Sequence, residues 1–294
     1  MSNYITLWKT WTEIPPFKLP STDKEFSGYS LAGLRTNFFV KPDLMLDAGL
    51  SAPHVAKNIL ITHGHSDHIA NLPYHLYKQS EDSNINIYCP KHLVKLIDNY
   101  IVAMFQLSDG DDQMKPSGYT IIGIDKSNSG FTLEIGKSKH EVEIFNCDHS
   151  VPCIGYGISS IKNKLKPEYA SVSGKEIAQM RKQGVEVTYE TKLNEFVFLG
   201  DTTHHVFELE PNILNYKTVI CECTFLTEDD LSHAEEKKHM NWINLRPIIK
   251  SNPEVTFVLT HFSRKYKKEF IDEFFQTEFA EHGITNVTPW CNLV

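Results

Sequence analysis

The sequence predicts an α/β fold built as one large domain. Short apolar runs of strand character recur from residue 26 to residue 260 and alternate with helix-patterned segments. The residues able to do chemistry fall at the ends of those runs, from His63 to His261, so one site requires the whole span to fold together. A chain of 294 residues, 41% hydrophobic and 22% charged, has the length for one large α/β domain or two modest ones.

Composition removes several classes. No apolar run approaches a membrane span. The start, Met1-Ser-Asn-Tyr-Ile5, lacks a basic segment leading into an apolar one, so an intracellular location is expected, the cytoplasm first, with nucleus and organelle left open. The six cysteines (Cys89, Cys147, Cys153, Cys221, Cys223, Cys291) form no Cys-x-x-Cys pair and are expected as free thiols. A net charge of −8 argues against indiscriminate binding to polyanions, yet leaves room for a local basic patch.

In chain order, residues 1–25 hold Trp8, Trp11 and Pro15-Pro16 and predict an extended lead-in with one strand laid on the body. Strands follow over Tyr29–Leu34, Asn37–Val40 and Asp43–Asp47, the last ending in Asp47-Ala-Gly. The apolar run Asn58–Thr62 reads as a buried strand and ends in His63-Gly-His65-Ser-Asp67-His68. Neutral imidazole and carboxylate are the ligands borderline cations such as zinc prefer, and Gly64 frees the turn so that they can converge. Helices are predicted over Leu72–Gln79 and Lys91–Leu107, the second with apolar Leu93, Leu96, Ile97, Tyr100, Ile101 and Met104 at a helical spacing. The strand Ile85–Tyr88 lies between them, and Asp109-Gly-Asp-Asp112 reads as a solvated loop.

Strands Phe131–Ile135 and Glu141–Phe145 lead to His149, by itself as compatible with a turn as with a ligand; Ile154–Ser159 follows. The stretch Lys162–Lys182 carries six cations against Glu168 and Glu176, a local charge of +4. A solvated helix over Lys175–Gln183 and a local basic patch both fit it. The strand Glu195–Leu199 delivers Asp201 into a glycine-flanked turn, where a carboxylate can bridge two cations. Val219–Phe225 is a strand carrying Glu222, with Cys221 and Cys223 alternating into the core. Strand Glu254–Leu259 runs into Thr260-His261-Phe262-Ser263-Arg264-Lys265-Tyr266, and Lys267–His282 reads as an amphipathic helix with Phe270, Phe274, Phe275 and Phe279 inward.

The run His63-x-His65-x-Asp67-His68 resembles the signature of the metallo-β-lactamase superfamily of di-metal hydrolases. Within it, the chain from about Phe26 onward is similar to the ribonuclease Z family, in its short eukaryotic-type form. These endonucleases trim tRNA precursors at the 3′ end. The resemblance implies an αββα sandwich over residues 26–294, two facing mixed sheets with helices outside. It also implies two divalent cations, zinc first: one held by His63, His65 and His149, which precedes Gly155-Tyr156, the other by Asp67, His68 and His261. Asp201, within Gly200-Asp201-Thr202, would bridge them, and Asp47 would orient the ligands from behind. Such a pair turns a bridging water into hydroxide near neutral pH.

Asp67 would orient that nucleophile and take its proton, and a histidine paired with Glu222 would help at the phosphate or the leaving oxygen. His239 is favoured, with His233 the competitor, because Lys238 stands where the family has glycine. The products would be a tRNA 3′-hydroxyl and a trailer 5′-phosphate. The family's long Gly-Pro-rich arm is missing, and a reduced basic insert near residues 160–187 takes its place. Lys164, Lys166 and Lys182 there, with Arg264 and Lys265, are the expected RNA contacts. Family members work as homodimers, and a homodimer is expected here. The family's Thr-His-Phe-Ser-x-Arg-Tyr motif, nearly intact here with Lys265 in place of the arginine, speaks against a lactone, thioester or β-lactam hydrolase on this fold, and a nuclease for other nucleic acids is the remaining rival.

Overall fold

The computed structural model describes residues 9–20, 22–54, 56–77 and 84–292. Its strands form two seven-stranded sheets, each in sequence order. The first contains β1 (Phe17–Lys18), β2 (Glu25–Leu31), β3 (Arg35–Val40), β4 (Leu44–Leu46), β5 (Asn58–Leu60), β6 (Ile85–Pro90) and β7 (Tyr119–Ile124). The second contains β8 (Phe131–Ile135), β9 (Ser138–Cys147), β10 (Cys153–Leu165), β11 (Thr188–Phe198), β12 (Thr218–Glu222), β13 (Thr256–Thr260) and β14 (Val287–Pro289). Both sheets pair antiparallel through their first four strands and parallel through their last four.

Three buried clusters show the layering. Phe26, Phe38, Leu46, Leu60, Tyr156, Phe196, Ile220 and Trp290 share one cluster drawn from both sheets, which is the interior between them. A second cluster joins Ile59, Ile61 and Ile87 of the first sheet to Ile97, Ile101 and Phe105 of the helix Val94–Asp109. A third joins Val219, Cys221 and Phe257 of the second sheet to Trp242, Leu245 and Phe275 of the helices Trp242–Ser251 and Lys268–His282. Alternate faces of each strand therefore fill two different cores, which is why the parallel strands read as near-continuous apolar runs. Each fully buried aromatic ring contributes roughly 1.5–3 kcal/mol of transfer free energy.

Several expectations need correction. The strand Tyr119–Ile124 was not read from the sequence, because its Tyr-Thr-Ile-Ile-Gly-Ile pattern is short and only half-buried. The helix at 91–107 begins as a 3-10 turn and extends to Asp109. Its inward residues are Ile97, Ile101 and Phe105, whereas Leu96 and Met104 face solvent. Phe270 likewise points outward, and Ile271 takes the buried place beside Phe275. The first predicted strand is shifted to Glu25–Leu31, leaving Leu34 exposed beyond the turn. The helix expected over Leu72–Gln79 spans Leu72–Leu76, with positions 78 and 79 outside the described residues.

The lead-in is not wholly extended. Residues 9–12 are helical, Trp11 is buried, and its indole N–H donates to the Ser51 carbonyl at 2.8 Å. Trp8 lies outside the described residues.

Candidate metal centre

Parallel strands end at one edge, and loops leaving their carboxyl ends are the usual ligand-binding ground of open α/β sheets. Asp47 follows β4, His63 follows β5, Asp201 follows β11, Glu222 closes β12 and His261 follows β13. His149 sits in the β9–β10 turn, tied to the first sheet by the Ile154 N–H bond to the Thr62 carbonyl at 3.1 Å. Gly49 has a steric reason in this region. A Cβ there would lie 1.7 Å from the Asp67 carbonyl oxygen, so only glycine lets the Asp47 turn pass so close to the His63–His68 segment.

Asp201 is the centre of the arrangement. Its Oδ2 lies 3.7 Å from His63 Nε2 and 3.9 Å from His149 Nε2. Its Oδ1 lies 3.4 Å from His68 Nε2 and 3.6 Å from His261 Nε2. Donor atoms of His63, His65, His149 and Asp201 all lie within 4.8 Å of one another, as do those of Asp67, His68 and His261. Each carboxylate oxygen of Asp201 thus addresses one group. Every residue expected from the sequence as a ligand is brought to this one place.

Behind the imidazoles stand acceptors that fix which nitrogen is free. His68 Nδ1–H donates to Asp47 Oδ2 at 2.7 Å. His63 Nδ1–H donates to Thr62 Oγ at 3.0 Å, and Thr62 in turn gives its N–H and O–H to Asp47. His149 Nδ1–H donates to the Lys238 carbonyl at 2.9 Å. His261 Nδ1–H donates to Thr224 Oγ at 3.1 Å, and the Thr224 hydroxyl donates to Glu222 Oε2. In each case Nε2 is left facing Asp201, the arrangement that metal-bound histidines adopt. The Asp67 carboxylate is aimed by the Gly33 N–H, which donates to its Oδ2 at 2.8 Å.

These donors fit a cation. His63 is fully buried, and its Nε2 has no hydrogen-bond partner among the described residues, a costly state unless the lone pair is used. Burial first, then the neighbouring His68, pushes the His63 pKa well below its ordinary value, so the ring is neutral and able to ligate. Burial would lower His68 too, but Asp201 and Asp47 outweigh it and raise its pKa; a cation at Nε2 must displace that proton. His261 adopts φ 61°, a left-handed backbone that a bulky side chain takes only when its surroundings enforce it.

Glu222 is buried and holds the segment that follows β12. Thr202 N–H donates to its Oε1 at 2.9 Å, and Met240 N–H to its Oε2 at 3.2 Å. His239 Nδ1–H donates to Oε1 at 2.7 Å. Burial alone would lower the His239 pKa, but the Glu222 carboxylate outweighs it and holds the imidazole up at about 9. His233 is half-exposed on the helix Leu231–Lys237, and its recorded carboxylate neighbour is Glu236, 3.9 Å away. Of the two competing histidines, His239 is the one joined to Glu222.

A cavity of about 640 Å³ opens over this edge, lined among others by His65, His149, Phe225, His233, His239 and Arg264. Lys265 also lines it, but its ammonium is paired with Asp230 and lies over the rings of Phe225 and Tyr266, 5.5 and 4.9 Å from their centroids. Lys164, Lys166 and Lys182 are elsewhere. β10 and β11 run on past the sheet as a two-stranded arm bearing the helix Gly174–Lys182, which has no buried residue. β10 is 13 residues long, so the arm's far end stands about 40 Å from the His149 turn.

The β-lactamase superfamily domain model matches residues 46–262. The chain belongs to the β-lactamase superfamily. Among relatives within the superfamily, tRNase Z TRZ2, chloroplastic, of Arabidopsis thaliana is 31% identical over 226 residues, 74% of this chain. The chain spans only 60% of that relative's length. tRNase Z TRZ1 of the same plant is 27% identical over 265 residues, 85% of this chain and 90% of its own. The likeness to ribonuclease Z read from the sequence is borne out by these names. The metallo-β-lactamase fold protein YhfI of Bacillus subtilis superposes with a TM-score of 0.58 at 14% identity, covering 92% of this chain and 98% of that one, which shows the sandwich fold. The expected αββα architecture is borne out.

Sequence reasoning missed Thr62, Thr224, Gly33 and the Lys238 carbonyl. Only Thr224 carried a signal, since Glu222-x-Thr224 has strand spacing and puts both side chains on one face. The others act through backbone groups or lie next to stronger motifs.

Proposed function

We propose that this chain is a metal-dependent endoribonuclease that cuts tRNA precursors on the 3′ side, leaving a tRNA 3′-hydroxyl and a trailer 5′-phosphate. The observation that carries the chemistry is Asp201, whose two oxygens face two separate sets of donors. The substrate class is supported by the tRNase Z relatives, one of which is matched over 90% of its length.

His63, His65 and His149 would hold one divalent cation, and Asp67, His68 and His261 a second, with Asp201 shared and zinc the expected metal for such donors. When bound, the cations supply a nucleophile of lowered pKa and offset the charge on the phosphate. Asp67, fixed by Gly33, is placed to accept the nucleophile's proton on its carboxylate. His239 keeps Nδ1–H on Glu222, which leaves Nε2–H for the departing ribose oxygen. Asp47 acts only through His68 and Thr62. The third possible donor set, Asp201 with His239 and His261, is less apt for metal because Glu222 already engages His239.

Residues 26–294 would make up the catalytic domain, with residues 1–25 as an extension and residues 160–187 as the tRNA-gripping insert. The arm's direction supports a homodimer in which one subunit's Lys164, Lys166 and Lys182 hold tRNA for the partner's site, since the arm leads away from its own. Arg264 and Lys265 at the cavity would meet the RNA beside the cut. Free cysteines among the described residues suit an intracellular compartment, the cytoplasm first. No helix among the described residues is long and apolar enough to cross a membrane.

Parallel assays test the reading. A 3′-extended pre-tRNA should be cleaved once, while single-stranded DNA, unstructured RNA and nitrocefin should be untouched. Preferential turnover of any of the last three would replace it with another hydrolase on the same fold.

A further inference from the structure

Two cysteines close the turn that carries His149. Cys147 ends β9, Cys153 begins β10, and the antiparallel register sets them directly opposite each other. Directly opposed residues share a face of the sheet, with Cα atoms about 4.5–5.5 Å apart. That separation falls inside the range of about 4.4–6.8 Å that a disulfide spans. The two thiols already interact side chain to side chain. Cys153 is buried and Cys147 partly exposed, so a reagent from solvent meets Cys147 first. The Cys153 sulfur also packs on the turn before Asp201, where a Cβ on Gly200 would lie 2.5 Å from it. The pair therefore sits at the base of the two turns that carry His149 and Asp201.

We propose that Cys147 and Cys153 form a reversible disulfide, a modification site that governs how His149 is presented. The Cys147 sulfur attacks a small disulfide of the glutathione class, forming a mixed disulfide and releasing one glutathione thiol. The Cys153 sulfur then attacks the Cys147 sulfur, forms the protein S–S bond and expels the second thiol. One protein disulfide is made, one glutathione disulfide is reduced, and the two cysteine protons end on the released thiols. Bonding brings the sulfurs to about 2.05 Å, which draws the Cys153 sulfur off the Gly200 turn on which it packs and clamps the base of the Asp148–Pro152 turn. His149 is anchored from the other side by the Lys238 carbonyl, so the turn cannot follow its strands without giving up that bond. How His149 is presented beside His63 and His65 therefore depends on whether the two sulfurs are bonded.

The test treats the purified full chain with glutathione disulfide, blocks residual thiols and maps peptides by mass. The expected product is a Cys147–Cys153 cross-linked peptide lacking two hydrogens, absent in Cys147→Ser, with a glutathione adduct on Cys147 in Cys153→Ser. Zinc titration of the oxidised protein should show about tenfold weaker binding of one cation, restored by dithiothreitol. Wild-type protein carrying only glutathione adducts would overturn the site, and unchanged zinc affinity after cross-linking would overturn its role. No RNA enters the experiment, so its outcome is independent of the substrate.

Discussion

The Nδ1 of His149 lies 2.9 Å from the carbonyl oxygen of Lys238, and that contact ties a proposed metal ligand to the residue just before His239, the proposed acid. Lys238 directs its carbonyl there because it adopts φ 57°, the left-handed conformation in which related chains are expected to place glycine. Its ammonium reaches Asp148 at 3.5 Å and Glu235 at 3.3 Å, exposed pairs that add little. Lys238→Gly should therefore raise the melting temperature by ~2 °C and keep activity within about twofold. Lys238→Val, with a branched Cβ that resists this conformation, should lower both kcat and zinc affinity about tenfold or more. Equal behaviour of the glycine and valine variants in thermal melts and zinc titrations would remove the backbone argument.

Glu222 and His239 should behave as one unit. His239→Ala is expected to lower kcat on pre-tRNA about a hundredfold with metal content unchanged, within the range general acid catalysis supplies. Glu222→Gln should show a smaller loss in the same direction, and His233→Ala less than about threefold. A crippled His233→Ala enzyme beside a mild His239→Ala would reverse the assignment.

Much of this site was legible because its proposed ligands occupy one short run, His63 to His68, and three strand ends whose apolar runs announce them. Asp47 was readable as an acid at a strand end, yet its contact with His68 depends on Gly49 packing against the Asp67 backbone. The choice between His233 and His239 was not settled by pattern, since both lie in the same polar excursion; Glu222 geometry separates them. The outward turn of Phe270 was misread because helical spacing gives an apolar stripe without saying which of two adjacent stripes meets the sheet. The arm's exposed helix matched the sequence reading, but its stance on two long strands depends on register, which charge cannot reveal.

Asp230 ties the Lys265-Tyr266 end of the His261 motif to the turn before it. It pairs with Lys265 and accepts hydrogen bonds from Tyr266 and from Thr227, the last at 2.8 Å. Burial would raise its pKa, but these partners outweigh it and hold the carboxyl below its ordinary value of 3.8. A depressed folded pKa means the contribution is present above the unfolded value and lost as pH falls through the folded one. Asp230→Asn should cost about 1–2 kcal/mol in urea melts at pH 7, and the difference from wild type should shrink below about pH 4. A difference that is constant down to strongly acid pH would show that the carboxylate charge is not what holds this turn.

Reversing charge at Lys164, Lys166 and Lys182 together should raise KM for pre-tRNA and flatten its salt dependence, because fewer counterions leave the phosphates. Hydrolysis of bis-p-nitrophenyl phosphate should hardly change. Equal losses on both substrates would assign the arm a folding role.

The central claim is that the edge around Asp201 cuts tRNA precursors at one bond. The most direct measurement incubates the purified chain, reconstituted with zinc, with a 5′-labelled 3′-extended pre-tRNA and maps the cut at nucleotide resolution. The account predicts a single cleavage at the 3′ side of the acceptor stem, a 3′-hydroxyl on the tRNA and a 5′-phosphate on the trailer, abolished by Asp201→Ala. Uncut substrate, scattered cleavage along the RNA, or a 3′-phosphate on the tRNA would contradict it.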